Sequence, residues 1–493
     1  MRNAPLLTGL LALLLSVGPA PAQEPVLTGV LAAIAPDARV SWDRGASQAG
    51  QETYEGLFVG QGPVRVRGDQ VRVIPDGPIA RIEADRVVLN LDGEDPFSIE
   101  VTGLSLTVPA SALRALRDGP VPDLCFREAE GARLEARGVR ILRDIPVPGA
   151  RPVRAEARAD LIRLTQEVRR TGSGCEVTLA GRADGAQEAR SDKSGLRFEQ
   201  LELTLTLPGN LDALTSAGAP DLTLALRFGG ALRQVPGGAS VAAIRDGSVD
   251  ARISAIGAVP ALTALLRTRG APTTERAAAA LSALTPARAR VAAQVNGATL
   301  LVEALLPTGL ISGLSRASLT SMIGDYGAEL ETGGGDATLR VRSDAVGIGR
   351  TGLDASLRLA PRREDAPGLG LGPRVDQLLP DIRLGRAELT HQDGGLLRAI
   401  ELISGSPVSV LAAIFLNEGI EAVPEGWRPA ARRAVTELAR FFSLTPRGEG
   451  ALLRLSTPQD LSVPETYRLL TLRPELADQL IVTEVTQAPP KGP

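Results

Sequence analysis

The segment VRVRGDQVRV, residues 64–73, decides the fold, because its valines alternate with charged or polar residues. The same period of two runs from Tyr54 to Val108 and is typical of antiparallel strands with one packed face and one solvated face. Turn signals separate the runs at Gly68-Asp69, Asp76-Gly77 and Asp92-Gly93. We therefore predict a four-stranded meander, in which Arg67-Gly68-Asp69 is a hairpin turn and not an adhesion motif.

Strand patterns recur through much of the remaining chain. They cover Val153–Val168, Cys175–Leu179, Leu196–Leu207, Leu222–Leu232, Val249–Ile253, Arg288–Leu305, Leu314–Ile323, Tyr326–Glu331, Ala337–Val341 and Leu353–Leu359. We expect hairpin turns at Thr171–Gly174 and at Asn296-Gly297. The alternation changes phase between Phe198 and Leu201, which predicts a bulge.

Helical patterns interrupt the strands and become denser in the last quarter. They lie at 110–117, 259–269, 274–284, 394–403, 408–417, 429–442 and 464–472, and strands 451–455 and 481–485 alternate with the last of them. The predicted fold class is mainly β (α+β), a long curled antiparallel meander sheet with interspersed helices. We expect a strand-rich region at 23–360, a Gly- and Pro-rich linker at 361–380, a helix-rich region at 381–487 and a disordered tail at 488–493.

The first 22 residues have the three parts of a secretory signal peptide. Arg2 is the positive residue, Pro5 to Val17 is apolar, and Ala20-Pro21-Ala22 carries small residues where a signal peptidase reads them. We expect cleavage between Ala22 and Gln23 and a periplasmic or extracellular mature protein. The apolar run is short of the ~20 residues of a membrane span, so no stable transmembrane anchor is expected after cleavage.

The composition argues against nucleic-acid binding. The 54 basic residues nearly balance the 57 acidic ones, and aromatic residues are 3% of the chain. Nucleic-acid binding requires a concentrated basic surface, and single strands also require stacking aromatics. All but two of the basic residues are arginine, which we attribute to GC-rich codon usage.

Cys125 and Cys175 are the only cysteines. In an oxidising compartment an even count favours a disulfide, and the two residues have neither the C-x-x-C spacing nor the nearby histidines of a metal site. We predict a structural disulfide between them.

No catalytic or cofactor motif stands out, so we predict neither an enzyme nor a cofactor. His391 is the only histidine; it is expected to face solvent at a strand end, with Asp393 capping the next helix. The sequence has no G-x-S-x-G elbow, Walker A loop or S-x-x-K motif. Asp92, Glu94 and Asp95 are read as an exposed turn rather than a calcium loop.

The apolar residues of the strands lie on one face of the sheet, and this face must be buried away from water. Either the sheet packs on itself or it holds a ligand. The residues 408–416 are apolar on nearly every side, so a helix there must be buried in protein or contact lipid. The candidate apolar ligand face therefore comprises Val66, Leu205, Leu411 and Phe415.

The leader, the long runs of amphipathic strands and the passage LTHQDGGLL, residues 389–397, resemble exported proteins of the AsmA-like and related envelope families. The resemblance implies a curled sheet with an apolar concave face and a role in envelope lipid handling or maintenance. The chain departs from the family in lacking a retained membrane anchor.

Three functions remain open from the sequence. The first is a non-enzymatic binding protein that holds a lipid or another apolar ligand. The second is a structural or assembly factor of the envelope, which acts through protein partners at sheet edges. The third is a hydrolase of unknown substrate.

Overall fold

A computed structural model gives the architecture. It describes residues 27, 37–48, 50–92, 96–110, 131–145, 153–171, 174–208, 221–235, 240–254, 273–284, 287–301, 321–360, 377, 381–410, 414, 428–444, 450–457 and 461–487.

The described residues form 21 strands, and every pairing between them is antiparallel. The strands are β1 (Arg39–Ser41), β2 (Arg44–Gln48), β3 (Gln51–Glu55), β4 (Leu57–Gln61), β5 (Val64–Asp69), β6 (Val71–Asp76), β7 (Ile79–Leu91), β8 (Phe97–Pro109), β9 (Arg133–Ile145), β10 (Val153–Thr171), β11 (Gly174–Arg190), β12 (Gly195–Pro208), β13 (Leu222–Gln234), β14 (Ser240–Ile253), β15 (Ala289–Leu301), β16 (Ser321–Gly333), β17 (Asp336–Ala345), β18 (Gly349–Ala360), β19 (Asp381–Asp393), β20 (Ala451–Ser456) and β21 (Val482–Gln487). The helices are α1 (Thr273–Leu284), α2 (Leu396–Ser404), α3 (Arg428–Leu444), α4 (Val463–Leu472) and α5 (Ala477–Leu480), with a 3₁₀ turn at Pro474–Leu476. The predicted fold class, mainly β with antiparallel strands and helices concentrated late in the chain, is confirmed.

The chain divides into two compact units, Met1–Val241 and Ala242–Pro493, here called unit 1 and unit 2. The predicted linker at 361–380 is not the boundary between them. Its two flanking strands, β18 and β19, pair directly from Gly349↔Asp393 to Ala360↔Asp381.

Unit 1 is a meander whose first strands are each broken in the middle. β5 and β6 share one register against β7, because Asp69 lies opposite Arg86 and Arg72 lies opposite Glu83. The two strands are therefore one long strand interrupted at Gln70, whose φ is 50°. The predicted hairpin at Gly68-Asp69 is wrong, whereas Asp76-Gly77 does form a hairpin, with Asp76 paired to Ile79.

Similar breaks occur at matching positions of neighbouring strands. A glycine with positive φ lies on one strand, and a polar side chain of the adjacent strand lies over it. We call these positions the break row; among the described residues of unit 1 it comprises the pairs Gly56–Asp43, Gly103–Arg137, Gly138–Thr102, Gly185–Asp160 and Gly230–Glu199. In the described part of unit 2 one such position occurs, Gly297, which lies beside Arg245 and whose N–H donates to Asp325 Oδ1 at 2.7 Å.

The break row explains how the apolar alternation changes phase without exposing the core. Along β10 the residues on the packed face are Ala157 and Ala159 before the break, and Ile162 and Leu164 after it. The bulge predicted between Phe198 and Leu201 is confirmed as the break of β12 at Glu199. The hairpin predicted at Asn296-Gly297 is wrong, because β15 runs through both residues and pairs with β14 and β16 on either side.

A packed cluster lies where the first strands of unit 1 meet. Its buried members are Leu27, Tyr54, Leu57, Val59, Val71, Val73 and Ala84. Glu52 is also buried there, and its Oε2 accepts hydrogen bonds from Tyr54 Oη at 2.9 Å and from the Leu27 N–H at 3.1 Å. Burial and the nearby carboxylate raise the pKa of Tyr54, so this hydroxyl stays protonated and donates.

Unit 2 continues as a meander from β14 to β21 in chain order. α3 covers its last strands through Phe441, which packs with Ala451 and Val485. Helix α4 begins with a capping box between Ser462 and Glu465, which satisfies backbone N–H groups at its first turn.

The expected helices at 259–269 and 110–117 lie outside the described residues, except for Ala110, as do most of 408–417, the tail 488–493 and the leader with Ala22 and Gln23. The helices predicted at 274–284, 394–403, 429–442 and 464–472 are confirmed as α1, α2, α3 and α4.

Candidate functional site

Of the four predicted apolar ligand residues, the structure describes Val66 and Leu205, and these two lie on distant strands. Val66, on β5, packs against the buried cluster around Tyr54 and belongs to a core. Leu205, on β12, lies between Leu179 and Leu224 and is half-buried. Six inter-strand steps separate β5 from β12, or roughly 29 Å along the sheet. Leu411 and Phe415 lie outside the described residues.

Leu205 belongs to an apolar surface on β11–β13 of unit 1, here called the leucine face. Its cross-strand rows are Leu179–Leu205–Leu224, Gly181–Leu203–Leu226 and Ala183–Leu201–Phe228. Leu203 is 40% exposed, as is Leu196 farther along the same face. The face therefore presents large aliphatic side chains that the described residues leave partly open.

Charged side chains bound the leucine face at one end. Arg143, Glu188, Arg190 and Arg233 follow the last apolar positions of their strands on the same side of the sheet. Glu188 pairs with Arg190 at 3.1 Å and with Arg143 at 3.8 Å. With three arginines and one glutamate, these four residues carry a net positive charge.

Unit 2 contains a groove of about 1300 Å³ over strands β14–β19. Its charged lining residues include Asp250, Glu329, Arg340, Arg342, Arg350 and Asp354. These side chains alternate along their strands with Val341, Leu353 and Leu389, which point to the opposite face. The groove is therefore on the polar face of the sheet.

Ion pairs across adjacent strands cover much of the groove floor. Glu329 accepts from Arg290 at 2.6 Å and lies 3.5 Å from Arg340, which is itself 3.6 Å from Asp354. The two arginines lower the pKa of Glu329 below its ordinary value, mainly through the hydrogen bond from Arg290. Farther along, Arg350 pairs with Asp344 at 2.8 Å. These charged residues are evident in the sequence, but their position in one common groove is not.

His391 lies on the packed face of β19, half-buried, and does not point into solvent as expected. The alternation of β19 places it on the same side as Leu389, opposite Ala451 of β20. Its Nδ1 is 2.9 Å from the Thr351 hydroxyl. The expected capping role of Asp393 is confirmed, because its Oδ1 accepts the Leu397 N–H at 3.0 Å.

Burial lowers the pKa of His391, and the Asp393 charge opposes this shift only in part. As the pH falls through the ordinary value of 6.5, the unfolded chain then binds a proton more readily than the folded chain. We expect the free energy of unfolding to decrease just below that pH, and to decrease less in His391→Gln. Urea unfolding of both proteins above and below pH 6.5 measures the difference; equal pH dependence would contradict the assignment to His391.

The structure describes only some residues of the remaining candidate sites. Cys175 is buried at the start of β11, and no free cysteine occurs in the described part of the chain. Because Cys125 lies outside those residues, the Cys125–Cys175 disulfide stays a prediction. Asp92 pairs with Arg65 at 2.8 Å, while Glu94 and Asp95 are not described. Among the described residues, no cluster of His, Cys, Asp and Glu side chains has the arrangement of a metal site.

Within the described ranges, no helix is long and apolar enough to cross a membrane. No protein-family model matches the sequence, and no curated protein shows significant similarity to it.

Proposed function

We propose that the chain is an exported, non-enzymatic binding protein of the cell envelope that holds an amphiphilic lipid on the leucine face. The observation that carries the proposal is the partial exposure of Leu196 and Leu203, each 40% exposed, on an otherwise aliphatic surface. Contiguous apolar surface left open to water is typical of a binding site. An acyl chain bound along these rows removes this apolar surface from water, and the burial contributes ~25 cal/mol of binding free energy per Å².

The chemistry of the leucine face favours a lipid over a protein partner. Protein interfaces obtain most of their binding energy from Trp, Tyr and Arg side chains near their centres. The described centre of this face carries Leu, Ala and Gly, with Phe198 and Phe228 as an edge-to-face pair at 5.7 Å. The arginines lie at one end instead, where they suit an anionic headgroup.

Two neighbouring positions on β12 provide a test. Leu203→Glu places a carboxylate on the leucine face, and because Leu203 is 40% exposed the fold is expected to survive. Thr204→Glu places the same charge on the opposite face, between Ala180 and Ala225, as a matched control. Lipid that copurifies from the native envelope, detected by native mass spectrometry, should be lost in the first variant and kept in the second.

Two results would overturn the proposal. One is wild-type protein that carries no lipid when purified from its own envelope. The other is equal loss of lipid in both variants. A copurifying protein that Leu203→Glu releases, with no lipid bound, would favour the assembly-factor role.

A further inference from the structure

The floor of the unit 2 groove contains an arginine with an unusual setting. Arg342, on β17, lies directly between Gly327 of β16 and Gly352 of β18. The cross-strand neighbours of this arginine have no side chains, and its own side chain is exposed. The space beside Arg342 is open above Gly327, where an added Cβ would meet its nearest atom at 3.8 Å, whereas the Thr390 hydroxyl lies over Gly352 on the other side.

Arg342 also differs from the other arginines of the groove in its pairing. Arg340 lies near Glu329 and Asp354, and Arg350 pairs with Asp344. In the part of the chain that the structure describes, no carboxylate forms an ion pair with Arg342. Its five N–H donors are thus available to a ligand.

The acidic groups near Arg342 are engaged elsewhere. Glu329, Asp344 and Asp354 each pair with another arginine, and Asp325 accepts the backbone N–H of Gly297. The groove still has more carboxylates than arginines in its lining. This surplus repels a polyanion, so the site suits a ligand with a single anionic group.

We propose that Arg342 is the anchor of an anion-binding site for one carboxylate or phosphate group of a ligand in the unit 2 groove. A planar guanidinium binds both groups through two parallel hydrogen bonds. Gly327 leaves the approach open on one side of the arginine, and the volume of about 1300 Å³ leaves room for the rest of the ligand. The site is separate from the leucine face, and neither proposal depends on the other.

Chemical modification of arginines in the full chain tests the proposal. Phenylglyoxal modifies accessible arginines, and peptide mapping identifies which ones. Inorganic phosphate or acetate at low ionic strength should slow the modification of Arg342 but not of Arg197, an exposed arginine on β12. Protection by one anion and not the other identifies the preferred group. Equal protection at both arginines, or none at Arg342, would overturn the proposal.

Calorimetric titration with the protecting anion gives the second readout. Arg342→Gln should weaken binding about tenfold or more, the usual effect of losing a charge-assisted hydrogen bond. Arg340→Gln, which removes a paired arginine, should change it much less. Unchanged affinity in Arg342→Gln contradicts the assignment.

Gly327→Val separates loss of binding from loss of folding. A Cβ at Gly327 meets its nearest atom, the Ala293 carbonyl oxygen, at 3.8 Å, which is ordinary contact. A β-branched residue suits a strand, so the fold should be retained. The new side chain occupies the space beside Arg342, and anion affinity should fall although the arginine is intact. Full affinity in a folded Gly327→Val protein would show that the open approach has no role.

Discussion

Val73→Asp is expected to unfold the first strands of unit 1. Val73 is 3% exposed within the cluster around Tyr54, and its direct cross-strand neighbour is the buried Glu52. An aspartate there adds a second carboxylate beside the first, and none of the described members of the cluster is cationic. A buried, unpaired charge of this kind costs more than about 4 kcal/mol, a large part of the stability of a typical domain.

Thr53→Asp is the matched control for this change. Thr53 lies one residue from Glu52 but faces the other side of the sheet, opposite Arg72. The added charge there has a cationic neighbour, and stability should change by less than about 1 kcal/mol. Trp42, whose ring meets Tyr54 edge-on at 5.5 Å, gives a fluorescence signal for the cluster. A Val73→Asp protein with native fluorescence and an unchanged urea midpoint would show that the cluster is not a closed core.

Gly185→Ala is expected to destabilise unit 1 by about 2–4 kcal/mol, because two costs combine at this position of the break row. The φ of Gly185 is 63°, a conformation that residues with a Cβ rarely adopt. A Cβ there would also lie 2.1 Å from Asp160 Oδ2. Denaturant unfolding with a circular-dichroism readout measures the loss.

A double-mutant cycle separates the two costs of Gly185→Ala. Asp160→Ala removes the colliding carboxylate, so the double variant should recover the steric part of the loss and keep the backbone part. If Gly185→Ala alone is as stable as the wild type, the left-handed conformation at this position is not required.

The strands were predictable because alternation is a local property of the sequence. Two turns were misread for one physical reason. Glycine is favoured both in a tight hairpin and at a break within a strand, so Gly68-Asp69 and Asn296-Gly297 give the same local signal in either setting. At the first break the left-handed residue is Gln70, next to this pair, and at the second it is Gly297 itself. Only the pairing partners distinguish the two, and these lie on other strands, such as β7 for Gly68.

The candidate sites were less predictable than the strands. Alternation separates a polar face from an apolar face, but it does not say which face becomes concave. Arg342 and its glycine neighbours are 15 and 10 residues apart in sequence, at Gly327 and Gly352, and meet only through the registers of β16, β17 and β18. Val66 and Leu205 carry the same local pattern, yet one packs in a core and the other lies on a half-open face.

The break row suggests how a sheet of this kind changes length during evolution. Each left-handed glycine of the break row lies beneath a polar residue of a neighbouring strand, as Gly185 does beneath Asp160, so the smallest complete unit is two strands. Inserting or deleting one strand would leave a glycine break against an unbroken neighbour, whereas inserting or deleting a whole hairpin preserves the match. Related chains are therefore expected to differ by even numbers of strands, and a designed deletion of β10 and β11 together should be tolerated better than deletion of β10 alone.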